Sequence, residues 1–521
     1  MGRCFVISVG GTGSRVMRAL THLKAAGVFR DNERPENDIH IMTVDSDGAN
    51  AESTVRLIER YIELSDCFSV EEMSQQSWTP LDRQGTLTDI LCPRDGRKEF
   101  ENGSDGEKLY KFLYSPKERG VERCILRDDE RQVLELEGGF YSHTSIGSYF
   151  MTKDIHQLND GTGNFTFTND DWRRYFANVN TDEDKVIIIC SMFGGTGASG
   201  VAPLAKAIRE VYPDMQIAGV FLEPYFKTTR NGAVEVNDIV NSSDFGVKCK
   251  IAMDYYSEQK FCGDTRNPET VFTQMYFLGE DLDKLDQVPH VIDGRDQKNP
   301  PNMIEIYASL AVIDYMTRKH PRRNEITDTE VFIGLRKLDR EGRERVSPQF
   351  MNAKYGIYNH LADFLFFSIF YTRFMYEPIR DNRDVVERAN RWLLDDYNLD
   401  IRLNETMNEY CNDFIAWVEE TVRRNRQTRG WFLRAVERIP ADGANPLLKC
   451  RAFDEVAVPK EGRGLAGHEA YVNSKGDKWK TRSIRMEYIY QKLSNQKKPK
   501  SKKPYSSLIQ DIMSIIQNGE I

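Results

Sequence analysis

Ile187-Ile188-Ile189-Cys190-Ser191-Met192-Phe193-Gly194-Gly195-Thr196-Gly197-Ala198 reads as one unit: an apolar strand, a glycine turn, then the start of a helix. A β-branched run without polar alternation is the pattern of a strand covered on both faces, in the middle of a parallel sheet. Glycines at a strand-to-helix turn let backbone N–H groups approach oxygen atoms closely, and the helix N-terminus adds partial positive charge. The turn is therefore built to hold phosphate. It is not the lysine-bearing loop of P-loop NTPases, because GxxxxGK[ST] needs a lysine after the glycines and here Ala198 follows Gly197.

The same unit recurs at the N-terminus, where Cys4-Phe5-Val6-Ile7-Ser8-Val9 runs into Gly10-Gly11-Thr12-Gly13 and a helix expected from about Ser14. Read as GxGxxG from Gly11, a dinucleotide fingerprint lacks its third glycine, since Val16 stands there. The acids downstream are Asp45 and Asp47. On this loop alone, a plain tight turn and a nicotinamide or flavin dinucleotide site both stay open. Two such loops in one sheet can grip a single phosphate chain from both sides.

Working outward, strands are expected at 3–9, 40–44, 185–191, 216–222 and 271–278, and helices at 14–26, 198–211, 244–256 and 303–319. This alternation predicts an α/β fold, a parallel Rossmann-like sheet flanked by helices. Residues 53–184 turn polar and irregular and read as an insertion on that domain. From 327 the pattern changes, with a strand expected at 330–338 and helical stretches at 348–376 and 401–424. The organisation read from the sequence is thus a nucleotide-binding domain at 1–320, a second, helix-rich α+β domain at 321–439, and an irregular C-terminal region at 440–521. That last region carries a basic, proline-broken linker at 496–504 and an apolar helical stripe at 506–516.

With 521 residues the chain has room for two or three domains, and 40% hydrophobic with 29% charged residues is an ordinary globular balance. A net charge of −9 gives no whole-chain attraction to nucleic acid or to an anionic membrane. The linker's basic run fits a solvated face better than a nucleic-acid site. The nine cysteines are scattered without a CxxC pair, which fits reduced thiols in a cytoplasmic protein. The eight histidines show no HxxxH or HExxH spacing and define no transition-metal site. No apolar leader precedes the first strand, and the longest apolar stretch, 364–371, falls short of the ~20 residues of a membrane span. A soluble protein with no membrane span is expected.

Gly194-Gly195-Thr196-Gly197-Ala198 resembles the core of the tubulin signature GGTG[SA]G, the phosphate loop of tubulin and of its bacterial division homologue FtsZ. It departs at Phe193, where a small residue is usual, and at Ser199, where glycine is usual and Gly200 follows one place later. Gly10-Gly11-Thr12-Gly13 resembles the first nucleotide loop of that superfamily, and Thr43-Val44-Asp45-Ser46-Asp47 the second, beside phosphates and metal. Leu222-Glu223-Pro224-Tyr225-Phe226 resembles the loop that flanks the ribose, and Asn302 stands where the central helix offers an asparagine to the guanine edge. The stretch 138–147, with His143, resembles a third phosphate loop. The likeness covers about 1–320 and points to a divergent bacterial tubulin-like family. It implies GTP or GDP with Mg²⁺, held by Gly10, Gly11, Thr12, Gly13, Ser14, Asp45, Asp47, Gly194, Gly195, Thr196, Gly197, Ala198, Glu223 and Asn302.

In that superfamily, acids in the loop after the central helix of one subunit position the water that attacks the nucleotide of the next. The corresponding acids are Glu325, Asp328 and Glu330, set without the NxDxxE or NLDFAD pattern, so a solvated charged turn is the alternative. The resemblance therefore implies a GTPase that assembles with itself head to tail, a contact that yields open filaments. The terminal stripe is expected to dock on its own domain or on a protein partner. A dinucleotide-dependent oxidoreductase and a nucleotide-binding scaffold without turnover are the rival readings.

Overall fold

The computed structural model describes residues 2–28, 39–45, 48–65, 87–91, 144–155, 157–159, 165–229, 244–281, 285–289, 300–318, 323–334, 357–376, 401–424, 468–475, 478–485, 492–493 and 504–518. In chain order the elements are β1 (Cys4–Val9), α1 (Gly10–Ala25), β2 (Ile39–Val44), α2 (Gly48–Ser65), β3 (Leu87–Leu91), α3 (Thr144–Ile155), β4 (Gln157–Asn159), β5 (Phe165–Phe167), α4 (Asp170–Tyr175) and β6 (Lys185–Ser191). There follow α5 (Thr196–Val211), β7 (Gln216–Leu222), β8 (Phe226–Thr229), α6 (Phe245–Glu258), β9 (Gln274–Leu278), β10 (Asp286–Pro289), α7 (Met303–Thr317) and β11 (Glu330–Ile333). Last come α8 (Ile357–Phe370), running into a π turn at Tyr371–Tyr376, then α9 (Ile401–Arg424), β12 (His468–Lys475), β13 (Lys478–Arg485) and α10 (Pro504–Asn518).

Seven strands form one parallel sheet in the order β3-β2-β1-β6-β7-β9-β11. Every residue of β1 and β7 is buried, as continuous apolar runs covered on both faces require. The winding runs outward from β1 one way through β2 and β3, and from β6 the other way to β11. The reversal falls between β1 and β6, which pair in register from Cys4–Lys185 to Val9–Cys190. In open α/β sheets ligands bind outside the carboxyl ends of the strands at this reversal.

Helix α7 is apolar all round, and every residue from Met303 to Met316 is buried. A helix without a polar face has to be covered on all sides. Its N-terminus closes with a full capping box: Asn302 accepts from Ile304 N at 2.9 Å, while Glu305 accepts from Asn302 N at 3.1 Å. At the other end the Lys185 ammonium donates to the carbonyl oxygens of Tyr315, Met316 and Arg318 at 3.2, 3.0 and 2.9 Å, a cation on the negative end of the helix dipole.

Several expectations are corrected. Both loop helices start earlier than read, at Gly10 rather than Ser14 and at Thr196 rather than Ala198. Residues 53–184 are not merely irregular, since they supply most of α2, sheet strand β3, and helices α3 and α4. The strand expected to open a second domain, β11, pairs with β9 as the edge of the main sheet. The helices beyond it share the core of the first: His22 of α1 packs against Tyr410, Phe414 and Trp417 of α9, and Arg60 of α2 pairs with Glu409 and Asp413. Over 440–521 the described residues include an antiparallel hairpin, β12 with β13, not foreseen in the sequence. The terminal stripe docks on its own chain: Leu508, Ile509, Ile512, Met513 and Ile516 are buried and α10 packs on α8. Among the described residues no helix is long and apolar enough to cross a membrane. The basic run at 496–503 lies outside the described residues.

Candidate functional site

The two glycine loops meet at the reversal of the sheet, backbone against backbone. Gly10 has φ +77°, and a Cβ added there would lie 3.0 Å from the nitrogen of Gly197 and 3.3 Å from Thr196 Cβ. Positive φ and this approach both demand glycine. A Cβ on Gly197 would sit 2.9 Å from Ser191 N, and one on Gly13 would sit 2.9 Å from the carbonyl oxygen of Ile189. The glycines therefore seat α1 and α5 against the strands that feed them.

Neither helix is capped by a side chain. The N-cap residues are Val9 and Gly195, neither makes a side-chain cap hydrogen bond, and no acid stands in either first turn. An α-helix leaves its first N–H groups without intrahelical partners, and its dipole favours an anion there. Helix α7 fills its own start with Asn302 and Glu305, whereas among the described residues α1 and α5 leave theirs open at one place. Gly11, Gly194, Gly195 and Ala198 keep partial exposure around it.

Asp45, at the carboxyl end of β2, reaches across to the second loop, where Thr196 Oγ1 donates to its Oδ1 at 3.4 Å. One carboxylate and one hydroxyl beside a phosphate cradle are the hard oxygen donors Mg²⁺ takes alongside phosphate and water. Asp47 and residues 138–143, including His143, lie outside the described residues. Ser14 is buried in the first turns of α1, and its backbone oxygen accepts from Thr54.

The two departures from the expected loop sequence have local reasons. Phe193 packs among Tyr225, Phe226 and Phe245, with ring centroids 6.3, 5.6 and 4.7 Å away, so a small residue there would open a void. The Ser199 hydroxyl donates to the carbonyl oxygens of Gly195 and Thr196 at 2.7 and 3.1 Å, fastening the turn from inside. Pro203 in α5 has no N–H for the Ser199 carbonyl, and Ser148 of α3 supplies the missing donor at 2.8 Å.

A second cluster links the first loop to α7. Arg15 Nε donates to Glu305 Oε1 at 2.8 Å, and its Nη2 donates to Thr12 Oγ1 at 3.1 Å and to Tyr225 Oη at 2.7 Å. Tyr225 in turn donates to Glu305 at 2.9 Å. Burial alone would lower the Arg15 pKa, but Tyr225 and Glu305 more than offset it and hold the guanidinium charged. Asn302, its carbonyl engaged in the cap, turns its amide to Asp286 at 3.2 Å. The cavity that Arg15, Tyr225, Asp286 and Asn302 border is about 10 Å³, room for about one water. Arg15 and Asp286 carry no motif of their own in the sequence, and Tyr225 stands there only as part of the ribose-flanking segment. Within the ribose-flanking segment it is Tyr225 that joins this cluster, while Glu223 lies against Gly279 and close to Cys249, its carboxyl pKa raised by burial.

The three acids expected in catalysis lie at the other end of the molecule. Glu330 begins β11 and accepts from Arg318 Nη1 and Nη2 and from Gln274 Nε2, each at 3.1 Å. Glu325, in the short 3₁₀ turn Arg323–Glu325, and Asp328 are exposed. The strands are parallel and the glycine loops sit at their carboxyl ends, so these acids stand at the opposite edge. Along α7 alone the separation is ~22 Å at ~1.5 Å per residue. Within one chain they do not reach the loops. No protein-family model matches the chain, and neither does any curated protein.

Proposed function

We propose that the chain binds a guanine nucleotide at the β1/β6 reversal and, as in the tubulin and FtsZ superfamily, assembles head to tail so that hydrolysis is completed between subunits. The observation that carries this reading is the convergence of two helix N-termini without side-chain caps in glycine-rich loops, at Gly10–Gly13 and Gly194–Ala198, around one point. A single-loop dinucleotide site leaves the second loop without a role. Asp45 and Thr196 are the residues that would hold Mg²⁺, which when bound offsets phosphate charge. The amide of Asn302 beside the carboxylate of Asp286 pairs a donor with an acceptor, as the carbonyl and amino groups of a guanine edge require. A base that reaches α7 has to part Arg15 from its neighbours, because the space there is small.

The distance between the acids and the loops supports a shared site over a self-contained one. The engagement of Glu330 with Arg318 and Gln274 leaves Glu325 and Asp328 as the exposed acids, and favours slow turnover as the second reading. The test is GTP binding against ATP binding, with phosphate release and light scattering recorded over a range of protein concentrations. Turnover rising faster than linearly, together with scattering, is the expected result. Tight GTP binding without turnover would leave a nucleotide-gated scaffold. No GTP binding at all, with a nicotinamide or flavin absorbance in the purified protein, would overturn the reading.

A further inference from the structure

We infer that the cleft behind α5 is a second ligand site, for a singly charged anionic amphiphile. The cleft is about 750 Å³ and is walled by α3, α5 and α6. That volume lies in the range of small-molecule sites, and three helical walls enclose it as such sites require. Its floor is the small-residue face of α5, Ala198, Ala202 and Ala207, which leaves room for an occupant. One wall is α6, where Ile251 is 63% and Tyr255 43% exposed; with Val247 at 60% they form a stripe at four-residue spacing. Large apolar side chains left open in a continuous stripe mark a binding surface rather than ordinary scatter.

Charge fixes the class of ligand. Among the described residues, the ionisable side chains lining the cleft, besides tyrosines, are Lys206, Glu210 and Lys248. Lys206 and Glu210 stand one turn apart on α5 and balance each other. Lys248, half-buried on the facing helix, makes no hydrogen bond or salt bridge to any described residue, and Asp244 one turn earlier acts on it only through space. The described lining residues thus carry one excess positive charge among apolar walls, which suits a carboxylate or sulfonate on an apolar body. The cleft adjoins the phosphate cradle without including its glycines: Gly197 faces Gly10 and Ser191, while Ala198, the next residue, borders both.

The test uses the full chain and the fluorescent monoanion anilinonaphthalene sulfonate, with decanoate as competitor and decanol as its uncharged counterpart. A single saturable site is expected, emptied by decanoate and at least about tenfold less readily by decanol. Lys248→Glu, a change on a partly exposed helix face, weakens both anions about tenfold without altering the melting temperature. Ala202→Trp fills the floor and removes dye binding. Equal dye binding by the parent chain and Lys248→Glu, or displacement by decanol as good as by decanoate, overturns the proposal. No nucleotide enters these measurements, so their outcome is independent of the nucleotide reading.

Discussion

A methyl group on Gly197 would meet the backbone nitrogen of Ser191 at 2.9 Å and its carbonyl oxygen at 3.1 Å, and backbone atoms cannot swing aside as a side chain can. Gly197→Ala is therefore expected to push the start of α5 off β6, costing roughly 1–3 kcal/mol of stability. Under the proposed function it also weakens GTP binding by at least about tenfold. Urea unfolding and equilibrium binding on the same sample check both; unchanged affinity with the stability loss present would remove the loop from the phosphate site. His22 offers a test of a different kind. Its ring is buried against Tyr410, Phe414 and Trp417, and burial first, then the nearby Arg18, hold its pKa well below the usual imidazole value. The folded state therefore takes up its proton later than the unfolded chain as pH falls. The stability this histidine contributes is complete above about pH 6.5 and is lost below it, by up to about 1.4 kcal/mol per pH unit. His22→Phe should flatten that part of the pH dependence, read as urea midpoints between about pH 7.5 and 5.5 for both proteins. An equal slope in the variant would place the titrating group elsewhere. The glycines were readable because only glycine tolerates such contacts and they fall in strand-to-helix turns. His22 was not, because its partners lie on α9, and no local pattern joins residues so far apart in sequence.

Strands covered on both faces announce themselves, and β6 and β7 begin and end where the apolar runs at 185–191 and 216–222 do. Helix starts are less legible, since glycines read as turn residues become the first residues of α1 and α5 once packing holds them. Helix α7 was visible as an apolar run, but what fixes its ends was not. Its carboxyl end is held by Lys185, the first residue of a strand far upstream. Lys185→Met keeps the aliphatic stem and removes the ammonium, leaving three carbonyl oxygens without that donor. The expected cost is about 2 kcal/mol, measured as a lowered urea midpoint with unchanged slope. A loss below about 0.5 kcal/mol would mean that water replaces the ammonium there without cost. The Ser148 hydroxyl has the same character, since it answers a carbonyl that Pro203 leaves open across a helix boundary that sequence periodicity cannot span.

At the scale of the molecule, the sequence pattern leaves the sheet short of its edge strands: β3 lies within the polar stretch 53–184, and β11 within the strand pattern that begins at 330, beyond the main alternation. Both are short edge strands, where periodicity is weakest. With β11 in the sheet, the acids that precede and begin it are fixed at the edge opposite the glycine loops. Under the proposed function this predicts complementation between two inactive proteins. Gly197→Val should not bind nucleotide but keeps its acids, while a Glu325→Ala, Asp328→Ala double variant binds nucleotide and does not turn it over. In an equal mixture that assembles at random, a nucleotide-competent subunit meets an acid-competent neighbour at about one junction in four. Phosphate release should return to about a quarter of the parent rate and rise with total protein concentration. A mixture as inactive as its parts, with both variants folded by circular dichroism, would mean that the acids do not act across a subunit boundary. Full turnover by the double variant alone would move the attacking water to other residues, and the opposite edge of the sheet would then be a contact surface without chemistry.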